Sequence, residues 1–233
     1  MRMYYKFLYL FLHLDRSEGG SSIHDGSIEV MVHRRLTYDD RLGAHEPLNE
    51  TAYGEGLVVR GRHSLVLKSP QTSALYHSVH SQTSYMHPLA TFALTPLSYN
   101  DYSTAYRQTW SAINDQLPLN VHLLTLDQTG DKTYLARVEH FFELNEDDTY
   151  SHPQTINLQS IFQSIGTIST MTELTLSANL ELSSLHRLNW TTNAGESSFV
   201  RSPSHVFNEK NSLGDTNVHL NPMQIRTFQV TIN

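Results

Sequence analysis

The chain has no cysteine, which excludes a disulfide framework and a thiolate metal site and leaves the redox compartment unreadable on this criterion. It also has no long run of charge of one sign. Sixteen basic and 23 acidic residues give a net charge of -7, which argues against a nucleic-acid or anionic-membrane footprint and leaves neutral or cationic partners open. No apolar stretch approaches the roughly 20 residues that a membrane span requires. There is no His-Glu-x-x-His, no Gly-x-Ser-x-Gly elbow, and Gly19-Gly20-Ser21-Ser22 lacks the Gly-Lys-Ser/Thr ending of a phosphate loop.

What is present is a folding composition: 233 residues, 39 % apolar and 17 % charged, with 12 Tyr and 9 Phe. That is enough for one large all-β domain or two small ones, each with its own core. The leader, residues 1–14, places Arg2 and Lys6 ahead of the apolar run Phe7 to Leu12. It has something of a signal peptide, but the run is short, no small-residue cleavage site follows, and Asp15-Arg16 comes at once. Tyr5 to Leu14 is expected to be a β-strand.

Asp15 to Gly26 (DRSEGGSSIHDG) reads as a loop with a turn at Asp25-Gly26. Ile28, Val30 and Val32 then alternate with Glu29, Met31 and His33, the period of a half-buried strand over Ser27 to His33. Arg34 to Gly56 is expected to be a long exposed excursion, followed by strands at Leu57 to Val59 and Leu65 to Lys68. Ser69-Pro70 is a helix-start signature, and the spacing puts Leu75, Val79 and Gln82 on one side of a helix ending at Tyr85. After Pro118 a hairpin is expected, Val121 to Leu126 and Thr133 to Leu144 around Asp127 to Asp131. Further strands are read at Thr155 to Leu158, Ile165 to Met171, Glu173 to Ala178, His186 to Thr192, Asn217 to Leu220 and Ile225 to Ile232. Short strands with frequent turns predict a β-sandwich for this half.

Of the 14 histidines, only His77 and His80 lie three apart on the expected helix, and a surface pair is the ordinary reading. Glu146, Asp147 and Asp148 read as a solvated turn, because calcium loops need a ligand spacing that Thr149-Tyr150 does not continue. The densest polar group is His33 to Arg41, where Arg34, Arg35, Asp39, Asp40 and Arg41 follow a strand. Guanidinium forks and carboxylates of this kind suit either an ionic brace or the rim of a carbohydrate site. Asn49-Glu50-Thr51 and Asn189-Trp190-Thr191 are N-glycosylation acceptors, making Asn49 and Asn189 candidates for modification and giving slight weight to a secretory route.

The runs Asp15-Arg16-Ser17-Glu18-Gly19-Gly20-Ser21-Ser22 and Asp25 to Leu36 (DGSIEVMVHRRL) resemble the C-terminal part of lysosomal-type family-38 α-mannosidases. The likeness continues through Glu46-Pro47-Leu48-Asn49-Glu50, Val59-Arg60-Gly61-Arg62-His63, Leu117-Pro118, Val121 to Leu126, Arg137-Val138-Glu139-His140 and Pro222 to Phe228. It covers residues 15–233 in order. The resemblance implies an all-β fold, the tail of a mutarotase-like β-supersandwich followed by a smaller β-sandwich, with one short helix between. On that basis residues 15–95 belong to the supersandwich, 96–117 connect, and 118–233 form the C-terminal sandwich.

It further implies that zinc and the catalytic carboxylates for retaining hydrolysis of α-mannosides belong to an N-terminal catalytic domain that has no counterpart here. That domain and a mannose-containing oligosaccharide are the implied partners. No nucleic acid, membrane span, catalytic residue or metal ligand is assigned to this chain, and the lysosome or secretory pathway is the implied location. Two departures stand out: the family usually reads Asp-Asp-Gly-Arg-Gly where this chain has Asp39-Asp40-Arg41-Leu42-Gly43, and Glu18 replaces a Gln. The alternative to a portion of a mannosidase is a stand-alone, non-catalytic β-sandwich protein that binds carbohydrate or a partner.

Overall fold

The computed structural model describes residues 2–5, 8–43, 45–113, 116–186 and 215–233. Strands dominate, in several antiparallel sheets, so the chain is all-β with a few helices. It divides into two compact units, Met1–Thr91 and Phe92–Asn233.

The first unit contains β1 (Arg2–Tyr5), β2 (Leu8–Leu14), β3 (Gly19–Ser21), β4 (Glu29–Met31), β5 (Thr51–Ala52), β6 (Glu55–Gly56), β7 (His63–Lys68) and α1 (Pro70–Tyr85). Its main sheet has the order β1-β2-β7. Registers Phe11↔Val66 and His13↔Ser64 set one face, and Leu10↔Leu67 and Leu12↔Leu65 set the other. Helix α1 starts where Ser69-Pro70 predicts, with Ser69 extended and Pro70 in the first turn. Its buried residues are Ser73, Ala74 and Ser78, while Leu75, Val79 and Gln82, on one side as the spacing puts them, are partly buried. Phe11, 2 % exposed, and His13 lie beneath the helix, where the rings of His77 and His80 meet them. The leucine face stays open, with Leu65 69 % and Leu67 57 % exposed.

Two expectations for this unit change. The strand at Leu57 to Val59 carries no pairing; the ladder lies upstream, where Tyr53 (φ 56) and Gly54 (φ 83) make a two-residue turn between β5 and β6. The strand expected over Ser27 to His33 shrinks to β4, which pairs with β3 across the turn at left-handed Gly26 (φ 76).

The second unit contains α2 (Tyr99–Ala105), β8 (Val121–Gly130), β9 (Thr133–His140), β10 (Gln154–Asn157), α3 (Leu158–Phe162), β11 (Ile168–Leu174), β12 (Asn217–Leu220) and β13 (Ile225–Ile232). One sheet has the order β11-β13-β9-β8, and a second pairs β10 with β12. Alternation directs Ala136, Val138, Phe228, Val230 and Ile232 from the first sheet and Ile156, Val218 and Leu220 from the second into one core, closed by Leu158, Ile161 and Phe162 of α3. Each is at most 6 % exposed. This is the β-sandwich that the strand count predicts.

The hairpin differs in detail: β8 runs on to Gly130, and the turn is Asp131-Lys132, with Lys132 left-handed (φ 56). The Thr133 strand stops at His140 rather than Leu144. His140 is 1 % exposed, and its Nε2 lies 2.9 Å from the His152 carbonyl oxygen, which draws the following segment off the ladder. The two strands expected over Ile165 to Met171 and Glu173 to Ala178 are one shorter strand, β11, Ile168–Leu174. The strand expected over His186 to Thr192 falls, from residue 187 on, outside the described residues, as does Asn189.

A buried ion pair ties the sandwich together. Arg226 on β13 donates from Nε to Glu173 Oε1 (2.8 Å) and from Nη2 to Glu173 Oε2 (2.7 Å) on β11, and from Nη1 to the His219 carbonyl (3.1 Å) on β12 in the other sheet. Arg226 is 7 % exposed. Removing one partner strands the other charge, so Arg226→Met is expected to cost about 3–5 kcal/mol in urea unfolding, and Arg226→Met with Glu173→Leu to recover most of it.

Candidate functional site

Three of the sequence runs quoted above meet in the first unit. Asp15 Oδ2 accepts from the Arg62 backbone N–H at 2.7 Å, while Asp15 Oδ1 lies 3.0 Å from Arg16 Nη1. Arg16 also donates to the carbonyls of Arg60 (3.3 Å) and Val32 (3.4 Å) and pairs through Nη2 with Glu18 Oε1 at 2.9 Å. The Glu18 side chain is 2 % exposed; its Oε1 also lies 3.2 Å from His63 Nε2, and its Oε2, 3.0 Å from the same nitrogen, is buried without a hydrogen bond. Gly61 makes this possible, because a Cβ there would run into the Arg16 guanidinium. The segment between β2 and β3 delivers Arg16 and Glu18, and the approach to β7 delivers Gly61, with His63 at the start of the strand.

Beside this knot lies an open cleft of about 660 Å³, lined by Arg16, Glu18, Met31, Val32, His33, Arg34 and Val59. The Glu18 carboxylate is consumed by Arg16 and His63. Glycoside hydrolysis needs two carboxylates facing each other across a sugar, and the Glu18 carboxylate at this cleft is paired with Arg16 and His63. What the cleft presents is guanidinium N–H groups from Arg16 and Arg34 beside an apolar wall. Such groups orient hydroxyls.

The five residues singled out from sequence have separate fates. Arg34 lines the cleft. Arg35 turns away and braces the excursion: its Nε donates to Asn49 Oδ1 at 2.5 Å, its guanidinium lies against Gly56, and Leu36 N–H bonds the Leu48 carbonyl at 3.0 Å. Asp39 and Asp40 cap their own loop, accepting from Arg41 N–H (2.7 Å) and Leu42 N–H (3.0 Å). Arg41 is exposed and left-handed, φ 62. That is the position where the resembled family carries Gly, the residue for which this conformation is free of cost. Arg16, Glu18 and His63 were not sequence candidates, although the runs containing them carry the resemblance and Glu18 is one of its departures.

No three His, Asp or Glu side chains among the described residues converge as a metal ion requires. The donor set of a catalytic zinc does not fit this chain's described residues, and no step is derived through one. Among the described residues no helix is long and apolar enough to cross a membrane.

Residues 120–228 match the profile described as the glycosyl hydrolases family 38 C-terminal beta sandwich domain, and that span holds all six strands of the sandwich apart from the end of β13. The second unit of this chain is thus similar to the family-38 C-terminal β-sandwich. Over 94 % of its length the chain is 42 % identical to the lysosomal alpha-mannosidase of Mus musculus, across 221 residues, and 39 % identical to that of Homo sapiens, across 220. It is 33 % identical to the alpha-mannosidase of Canavalia ensiformis over 92 % of its length. The chain is therefore similar to the C-terminal β-sandwich region of lysosomal-type family-38 α-mannosidases, and it spans 21 to 22 % of the length of these relatives.

Glu18→Ala is expected to lower the stability of the first unit by about 1–3 kcal/mol, because Arg16 and His63 lose their shared acceptor in a partly dry site. Arg41→Gly is expected to raise it by up to about 1 kcal/mol by relieving the left-handed backbone. Urea unfolding of the full chain checks both.

Proposed function

We propose that this chain acts as the C-terminal β portion of a lysosomal-type α-mannosidase, which hydrolyses α-mannosides of glycoprotein oligosaccharides in the lysosome or secretory pathway. In this reading the catalytic zinc and the reacting carboxylates come from an N-terminal catalytic domain. The observation that carries it is the 42 % identity to a lysosomal alpha-mannosidase along 94 % of the chain, against one fifth of that relative's length. Residues 15–95 correspond to part of a mutarotase-like supersandwich, 96–117 to a connection, and 118–233 to the terminal sandwich.

The open face of the β1-β2-β7 sheet supports this reading. Leu65 and Leu67, with Leu10 and Leu12 beside them in register, form an apolar surface of the kind that another domain covers. The Arg16–Arg34 cleft supports a role for this chain at the rim of the substrate site, where Arg34 would bond sugar hydroxyls without taking part in bond cleavage. Arg35, Asp39, Asp40 and Arg41 hold the shape of the adjoining loop. The alternative, a stand-alone β-protein that binds mannose oligosaccharides, rests on the same cleft.

The purified chain is expected to release no p-nitrophenol from p-nitrophenyl α-mannoside, with or without zinc; zinc-dependent turnover by this chain alone contradicts the proposal. Calorimetry with mannose oligosaccharides separates the two readings, since micromolar binding by the isolated chain favours the stand-alone one. Leu65→Lys with Leu67→Glu is expected to shift the chain from associated species to monomer in size-exclusion chromatography without loss of β-structure.

A further inference from the structure

We propose that His13, His77 and His80 form an acid-sensitive clasp, which holds α1 on the β1-β2-β7 sheet at neutral pH and lets it go on acidification.

The geometry is a cluster of three imidazoles between a strand and a helix. His13 on β2 has its ring centroid 5.1 Å from His77, tilted against it, and 4.7 Å from His80, edge-on to it, both on α1, and His77 lies 4.9 Å from the Phe11 ring. His77 is exposed and His80 half-buried, so the surface pair also reaches in to the strand. Neutral rings suit it: His13 Nδ1 lies 3.1 Å from Ser81 Oγ, and His80 Nε2 lies 3.0 Å from Ser64 Oγ on β7. His13 Nε2 is buried with no hydrogen-bond partner, so a proton added there would carry charge into a site that offers it no acceptor.

The surrounding groups make that charge unwelcome. Helix α1 contains no Asp, Glu, Lys or Arg. On β7 the same face carries Ser64, Val66 and Lys68, and Lys68 Nζ sits 3.6 Å over the Tyr76 ring. On β2 it carries Tyr9 and Phe11. The carboxylate of Glu18 is engaged with His63, which stands in register with Leu14 on the other face. Among the described side chains, the charged group on this face of β2 and β7 is thus the cation Lys68.

Burial, then the neighbouring imidazoles of His77 and His80, and least the chain's amino group, lower the His13 pKa from 6.5 to about 4. A histidine held below its free value binds its proton more readily once released. Stability of the clasp is therefore full above pH 6.5, falls as the pH drops toward 4, and falls no further through this group below that.

The test is amide hydrogen exchange of the full chain at pH 7 and pH 4.5, corrected for intrinsic rates, comparing Pro70–Tyr85 with the histidine-free strand Ile225–Ile232 as internal reference. Protection of Pro70–Tyr85 relative to the reference is expected to fall roughly tenfold or more at pH 4.5. His13→Leu is expected to keep it at both values. Should that variant not fold, His80→Gln leaves one fewer imidazole against His13 and is expected to reduce the fall. Wild-type protection that is the same at both pH values overturns the proposal, and so does an undiminished fall in the folded variants.

Discussion

The second unit depends on the Arg226 guanidinium. It is placed by the alternation of β13 on the same side as Phe228, Val230 and Ile232, at the end of the core rather than in it. From there its fork holds the β11 carboxylate of Glu173 and the β12 carbonyl of His219, so three strands in two sheets share one planar group. The Phe228 ring lies 5.2 Å from its central carbon. A lysine could not satisfy these acceptors at once, because its ammonium has no fixed fork. The hydrophobic core supplies most of the free energy, and this pair fixes how the two layers meet.

The first unit is organised differently, by polar groups at loop junctions more than by a core. Among the described residues its buried apolar side chains are Phe11 and Ala74. Order in the Asp15 to Gly61 region comes from Asp15, Arg16 and Glu18 reaching across 45 or so residues of chain to Arg60, Arg62 and His63. Replacing a Gln of the family by Glu18 makes this knot ionic and gives His63 a charged partner. The cleft beside it is consequently held open by a braced arginine.

Sequence alone revealed what local chemistry dictates. Alternation fixed β12 and β13 to the residue, Ser69-Pro70 started α1, and Gly26 marked its hairpin. It misplaced what tertiary contacts decide. The buried residues of α1 are the small Ser73, Ala74 and Ser78, which carry no hydrophobic signal, while Leu75 and Val79 are only partly buried. The hairpin turn at Asp131-Lys132 escaped because Gly130 drew attention to itself, and only a non-glycine in the left-handed region revealed the true turn. Within the candidate site, Arg34 was legible from its place after a strand. Arg16, Glu18 and His63 were not, since their partnership joins segments far apart in the sequence.

The uncovered leucine face and the similarity to one fifth of the lysosomal alpha-mannosidases support the proposal that this chain meets an N-terminal catalytic domain. The most direct measurement is the size and activity of the native polypeptide captured from its source by an antibody raised against the 120–233 sandwich. A species roughly five times the length of this chain, in keeping with the 21 % span of the relatives, with zinc-dependent release of mannose from α-mannosides, is the expected result. A captured species of 26.6 kDa that carries no such activity and joins no larger mannosidase would contradict the account.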